Sequence, residues 1–122
     1  VEAAQACRDQ GIAVMMGAPN LIRGGSHSGN VAAENLAKRD LLDIVSSDYV
    51  PSALLLAAFH LARVWDDLPR AVATVTRNPA RAARLDDRGI LQVGMRGDVL
   101  RVRQAGETPL LRGVWSQGQK IG

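Results

Sequence analysis

The chain has 122 residues, of which 47% are hydrophobic and 22% are charged, and its net charge is +3. This composition is typical of a globular protein of about one domain and excludes a disordered chain. The longest nearly apolar run, residues 53–62, is shorter than the ~20 residues that a membrane helix needs, so we predict no membrane span. Cys7 is the only cysteine, which excludes an internal disulfide and favours a reducing, cytoplasmic compartment.

Residues 1–85 alternate helical patterns with short apolar runs of strand length. Helices are predicted over residues 1–7, over 31–39 and from Pro51 onward, and strands over 12–16 and 41–45. This order is that of repeating βα units, and it suits either a barrel or a doubly wound parallel sheet. The run at 12–16 is continuous in apolar residues, which predicts a strand covered on both faces. Because the chain lacks an initiating Met and its first residues already have a helical pattern, we expect a piece of a longer protein.

Two short helices are predicted after the one that opens at Pro51, and the pattern then changes. Pro69 and Pro79 each suit the first turn of a new helix, the second with Asn78 as its N-cap. From Asp86 onward, glycines separate short β-type runs at residues 90–93, 98–102 and 110–115. These runs predict a small β domain over 86–122 after an α/β unit over 1–85.

The basic charge makes nucleic acid a partner class to consider. The aromatic residues are few and scattered, so no ladder of rings is present on which bases would stack; they are Tyr49, Phe59, Trp65 and Trp115. Five arginines would share one face only if residues 63–84 formed a single helix, which Pro69 and Pro79 prevent; they are Arg63, Arg70, Arg77, Arg81 and Arg84. A basic nucleic-acid-binding module is therefore the weakest alternative, and we predict no nucleic-acid partner.

Residues 20–35, NLIRGGSHSGNVAAEN, form a glycine-rich segment before a predicted helix. It is not a P-loop, because Asn30 and Val31 stand where Lys and Ser or Thr are required. Its glycine spacing does not match the dinucleotide fingerprint, and His27 occupies the serine position of a nucleophile elbow. Its backbone N–H groups, its two serines and Arg23 would suit binding of an anion. From composition alone, a surface loop that binds nothing is an equally good interpretation.

Asp48 lies just past an apolar strand, where α/β folds place catalytic groups and metal ligands. From local pattern, a capping aspartate for the helix that opens at Pro51 is the stronger interpretation. His60 is predicted to be structural, and His27 alone is a weak catalytic candidate. The sequence contains no His-x-His or Cys-x-x-Cys spacing, so a metal centre would need ligands from elsewhere.

Several segments together carry a resemblance to a known family. In chain order they are MGAPN, RGGSHSGN, DIVSSDYVP, TRNPAR and DRGILQVGMRGDVL. They resemble the C-terminal third of the PhnM family of phosphonate-metabolism proteins, within the amidohydrolase superfamily. The resemblance implies an α/β fold: residues 1–85 would be the last two βα units of a metal-dependent hydrolase (β/α)8 TIM barrel, and 86–122 the C-terminal strands of a small β-sandwich domain.

The resemblance also implies a reaction and a site. Such family members hydrolyse ribose 1-methylphosphonate 5-triphosphate to the 5-phosphate and diphosphate in the carbon–phosphorus lyase pathway. Asp48 matches the aspartate that binds a divalent metal, of the zinc, iron or manganese class, and takes a proton from the attacking water. The implied residues for binding the phosphorylated small-molecule substrate are Arg23, Gly24, Gly25, Ser26, His27, Ser28 and Asn30.

The remaining metal ligands of the family match nothing in this sequence, so the resemblance implies that the chain alone is inactive. We expect a homo-oligomer, because two strands of an incomplete barrel leave open edges and apolar faces that seek partners. The nearest alternative is an amidohydrolase that cleaves non-peptide C–N bonds with the same Asp48. The glycine-rich segment separates the two interpretations, because a C–N substrate has no need of Arg23 and a donor-rich anion cradle.

Overall fold

The structure, a computed structural model, describes residues 1–22 and 33–122. It is a mixed α/β arrangement with one parallel and one antiparallel sheet in the described ranges. The elements in chain order are α1 (Glu2–Asp9), β1 (Met15–Gly17), α2 (Ala18–Ile22), α3 (Ala33–Lys38), β2 (Ile44–Ser46), α4 (Ala53–Trp65), α5 (Leu68–Ala73), α6 (Arg77–Ala82), β3 (Val99–Ala105), β4 (Thr108–Ser116) and β5 (Gln119–Lys120).

Strands β1 and β2 pair in parallel, as the βα pattern predicted, with Gly17 opposite Ser46. Both strands are shorter than predicted and lie nearer the C-terminal ends of their apolar runs. Burial of β1 on both faces is wrong for the described part of the chain. Val14 and Met16 pack against the core, while Met15 between them faces the other way and is 60% exposed. Successive strand residues point to opposite faces, and the described elements cover only one of them.

Helix α4 is the centre of the core, and it packs against α2, α3, α5 and β2. Ala57 and Leu61 are 0% exposed there. The face predicted from periodicity is partly wrong, because Leu54 and Trp65 are only half-buried whereas Ala53 and Ala57 are buried. Small residues on the buried face let the neighbouring helices approach α4 closely, and Leu61 and Phe59 are the large side chains of this helix that are buried.

The helices after α4 are separate, as Pro69 and Pro79 predicted, so the arginines do not share one helix face. Asp67 caps α5, and its carboxylate accepts a hydrogen bond from the Arg70 backbone N–H at 3.0 Å. The predicted cap of α6 is wrong, since that helix begins one residue before Asn78. The Asn78 amide instead donates to the Asp43 carbonyl at 2.8 Å and joins α6 to the start of β2.

Asp43 connects several elements at the N-terminal end of the parallel strands. Its carboxylate accepts a hydrogen bond from the Val14 N–H at 2.8 Å and pairs with Arg8 of α1 at 3.3 Å. Together with the Asn78 bond, these contacts tie α1, β1, β2 and α6 at one point. α/β folds place their functional sites at the other end of the sheet, the C-terminal end of the parallel strands. The contacts of Asp43 are therefore structural.

The antiparallel sheet has the order β3-β4-β5, with an irregularity in the β3–β4 register between Arg101 and Val102. The predicted strand at 90–93 is wrong. That segment forms turns, and Met95 N–H bonds the Gln92 carbonyl at 3.0 Å, while Val93 is fully exposed. A strand needs a partner for its ladder, and the apolar run at 90–93 has none within the described residues. The division at residue 85 remains a prediction.

None of the helices in the described ranges combines the length and the hydropathy that crossing a bilayer requires.

Candidate functional site at the carboxyl end of the parallel strands

Asp48 lies in a turn directly after β2. The Val50 N–H donates to the Ser47 carbonyl at 3.2 Å, and Asp48 has a left-handed backbone with φ 53°. Since β1 and β2 are parallel and Gly17 pairs with Ser46, the carboxyl ends of both strands lie at the same edge. The structure thus places an exposed carboxylate at the edge of the sheet where α/β folds carry their sites.

The Asp48 side chain lies against Gly17, the last residue of β1. A Cβ added to Gly17 would be 2.8 Å from Asp48 Oδ2, 3.2 Å from its Cβ and 3.3 Å from its Cγ. Sequence reasoning missed Gly17. The signal that could have found it was the glycine of GAPN at the end of an apolar strand, because glycine at a strand end often marks close approach of another group.

The capping interpretation of Asp48 is wrong. Helix α4 begins at Ala53 with Ser52 as its N-cap residue, and no side-chain cap bond forms there. Pro51 is likewise not the first helical residue but lies in the preceding turn. Asp48 is therefore too far before the helix to act as its cap, and its left-handed backbone turns the carboxylate toward Gly17 instead.

The seven predicted substrate-binding residues lie outside the described residues: Arg23, Gly24, Gly25, Ser26, His27, Ser28 and Asn30. The described residues on either side of them are joined. The Asn20 side-chain oxygen accepts a hydrogen bond from the Ala33 N–H at 3.0 Å, so the end of α2 lies beside the first residue of α3. Helix α2 follows β1 directly, which brings this junction to the same end of the sheet as Asp48.

His60 has a structural role, as predicted. It lies on α4 and its Nε2 is 3.1 Å from Oε2 of Glu34 on α3. Lys38 Nζ contacts the other Glu34 oxygen at 2.7 Å. The hydrogen bond from Lys38, followed by that from His60, holds the pKa of Glu34 below its ordinary value of 4.5. This cluster fixes α3 against α4.

Glu34→Gln is expected to reduce the loss of stability in acid. A carboxyl with a lowered pKa in the folded state stabilises the protein above the unfolded pKa, near 4.5, and loses that contribution as pH falls through the folded pKa. The Glu34 side chain is about one-third exposed, so solvent screening limits the effect to about 0.2–1 kcal/mol. The measurement is urea unfolding from pH 7 to pH 3. Glu2→Gln is the control, and an unchanged pH profile in Glu34→Gln would contradict the prediction.

The fit of a metal to this site can be judged from the donors present. Within residues 1–22 and 33–122, no group of three or more His, Cys, Asp or Glu side chains is placed to hold an ion. Asp48 is one exposed carboxylate at the strand ends beside Gly17, which suits it to supply one oxygen ligand. The other ligands would come from outside the described residues.

An open cleft of about 490 Å³ lies elsewhere, at the N-terminal side of the strands, and its lining includes Arg8, Ile12, Asp43, Asn78 and Arg81. It does not include Asp48. Its polar groups are largely those of the Asp43 junction, where they bond one another. Strand-end chemistry in α/β folds lies at the opposite, carboxyl edge, so we place the candidate site at Asp48 rather than in this cleft.

The Asp48 carboxylate lies just past a parallel strand, at the edge of the sheet where α/β proteins place their ligand-binding and catalytic groups. The chain is 51% identical, over 98% of its length, to the alpha-D-ribose 1-methylphosphonate 5-triphosphate diphosphatase of Escherichia coli (strain K12). It spans 32% of that protein, about a third of its length. No protein-family model matches the chain, and no solved structure matches it significantly. The resemblance inferred from the motifs is confirmed by this identity.

Proposed function

We propose that the chain is part of a longer metal-dependent hydrolase of phosphonate catabolism. That enzyme would cleave one phosphoanhydride bond of ribose 1-methylphosphonate 5-triphosphate with water, giving the 5-phosphate and diphosphate. The observation that carries the proposal is the 51% identity to the diphosphatase over 98% of the chain. In this proposal, residues 1–85 are the last two βα units of a TIM barrel and Asp48 is at the mouth of that barrel.

The chemical part assigned to Asp48 follows from its position. Its carboxylate is exposed at the carboxyl edge of the strands, so it can accept a proton at Oδ2 or Oδ1 from the water that attacks the substrate. A divalent metal at the site would lower the pKa of that water and stabilise the charge that develops on the phosphate. Asp48 would also supply one of its oxygen ligands.

Binding of the substrate is assigned to the glycine-rich segment on sequence grounds. A triphosphate brings several negative charges, and donor-rich backbone with an arginine is suited to hold them. The described flanks support this assignment, because α2 follows β1 directly and the Asn20–Ala33 hydrogen bond brings the start of α3 beside it. A hydrolase acting on C–N bonds would use the same Asp48 but would not need this anion-binding segment.

Arg23→Ala in the full-length enzyme is expected to weaken catalysis on the triphosphate more than it weakens the inhibitory binding of a monophosphorylated analogue. Loss of one charge-assisted contact costs about 1.5–3 kcal/mol, so kcat/KM for the triphosphate should fall by about 10- to 100-fold. The measurements are the steady-state kinetics of diphosphate release and the inhibition constant of the monophosphorylated analogue. Arg39→Ala, which removes an exposed arginine of the same half of the chain, is the control.

Two results would contradict this assignment. Equal losses of kcat/KM for the triphosphate and of affinity for the monophosphorylated analogue would indicate a folding defect rather than a lost phosphate contact. Turnover of a C–N substrate such as a cyclic amide, without diphosphate release from the triphosphate, would replace the proposed reaction with that of the alternative class.

A further inference from the structure

We propose that Gly17 is a positioning residue that leaves the space in which the Asp48 carboxylate lies at the end of β1, an inference that rests on the proposed function. The two residues are far apart in the chain and meet because β1 and β2 are parallel neighbours. The first observation is that the three heavy atoms nearest to a Cβ built on Gly17 all belong to Asp48. The space that glycine leaves open is the space that this side chain occupies.

The backbone does not explain the glycine. Gly17 is not among the residues with positive φ, so alanine would be acceptable there on conformational grounds. Its neighbour across the strand pair is Ser46, an ordinary residue in regular register. The requirement for glycine therefore arises from the close approach of Asp48.

Rotation of the carboxylate alone would not relieve an alanine at position 17. Turning the terminal group moves Oδ2, which lies 2.8 Å from the added Cβ, but leaves the Asp48 Cγ and Cβ within 3.3 Å and 3.2 Å. The Asp48 Cβ is fixed by a turn whose backbone is left-handed at φ 53°. A change of the χ1 rotamer moves Oδ2 and Cγ away from the added Cβ, while the contact with the Asp48 Cβ requires the turn to shift by a few tenths of an ångström. In this proposal both adjustments displace the carboxylate from the strand ends.

The first test is kinetic and uses the full-length enzyme. Gly17→Ala is expected to lower kcat for diphosphate release by about 10- to 100-fold, because a displacement of about 1 Å in a catalytic group has effects of that size. KM should stay within about threefold, since Gly17 does not contact the substrate in this proposal. In an Asp48→Asn background, Gly17→Ala should cause no further loss beyond about twofold, because the group it displaces no longer acts as a base.

The second test measures the contact without activity. Gly17→Ala is expected to lower the melting temperature by about 3 °C. In an Asp48→Gly background, Gly17→Ala should lower the melting temperature by less than half as much, since the opposing side chain is gone. Glycine at position 48 accepts the left-handed backbone, so the turn itself should be kept. The matched control is Gly113→Ala in β4, where an added Cβ would lie 2.6 Å from the Trp115 ring. It should lower the melting temperature and leave kcat per folded enzyme unchanged.

Each outcome decides something. Normal kcat in Gly17→Ala, together with an inactive Asp48→Asn, would overturn the positioning role and leave the proposed function standing. Equal fractional losses from Gly17→Ala in the unaltered enzyme and in the Asp48→Asn background would also overturn it, because the effect would not act through the carboxylate. Near-normal turnover in Asp48→Asn would overturn the assignment of Asp48 itself and this inference with it.

Discussion

Asp48→Asn in the full-length enzyme is expected to lower kcat for diphosphate release by about 10²- to 10⁴-fold while the fold stays intact. Asparagine has the same shape and accepts a left-handed backbone, so the turn after β2 should keep its φ of 53°. The amide cannot take a proton from the attacking water, and it is a weaker ligand for a divalent metal. The measurements are steady-state kinetics, metal content and a thermal melt of the purified variant.

The control for this prediction is Asp66→Asn. Asp66 is also an exposed aspartate with a left-handed backbone, at φ 49°, but it lies at the C-terminal end of α4 rather than at the strand ends. The kcat of Asp66→Asn for diphosphate release should remain near that of the unaltered enzyme. If Asp48→Asn released diphosphate at a near-normal rate, Asp48 would not be the base, and the site would have to be sought elsewhere.

Leu61→Ala is expected to cause the largest loss of stability in the described core, about 2–5 kcal/mol. Leu61 is 0% exposed on α4, the helix against which α2, α3 and α5 pack. Removing its side chain loses the transfer free energy and leaves a cavity among neighbours that are held on several sides. The measurement is the free energy of unfolding from denaturant titration, with the slope compared between variants.

Leu56→Ala is the matched control, because Leu56 lies on the same helix and is 40% exposed. Leu56→Ala should lower the free energy of unfolding by less than about 1 kcal/mol, since the Leu56 side chain is already partly in contact with solvent. Should Leu61→Ala fail to fold, Leu61→Met keeps the volume and is expected to cost less than about 1.5 kcal/mol. Similar losses for Leu56→Ala and Leu61→Ala would show that α4 is not packed as described.

The assignment of Asp48 illustrates how far local pattern can mislead. A short polar residue shortly before a helix is most often a cap, and the sequence around Pro51 favours that interpretation. In the structure the helix begins at Ala53 and its N-cap position is Ser52. Helix ends depend on where the packed face begins as well as on local preference, and that face here begins with the buried Ala53.

Only part of the candidate site could be predicted from the sequence. The position of Asp48 after an apolar strand was readable from the sequence, because strand-end placement is a local property. Its contact with Gly17 was not, since it depends on which strands are neighbours and on their register. Residues 23–30 lie outside the described ranges, and their role in binding stays a prediction.

The alternation of helix and strand around β1 and β2, the separation of α4, α5 and α6, and the family resemblance could all be read from the sequence, because periodicity, prolines and short motifs are local. Only the tertiary structure decided which apolar runs became strands. Residues 44–46 pair with β1 and are a strand, whereas 90–93 have equally suitable residues and are not. The physical reason is that a strand exists only when another backbone satisfies its hydrogen bonds, and the partner that it finds is set by packing of residues distant in the chain.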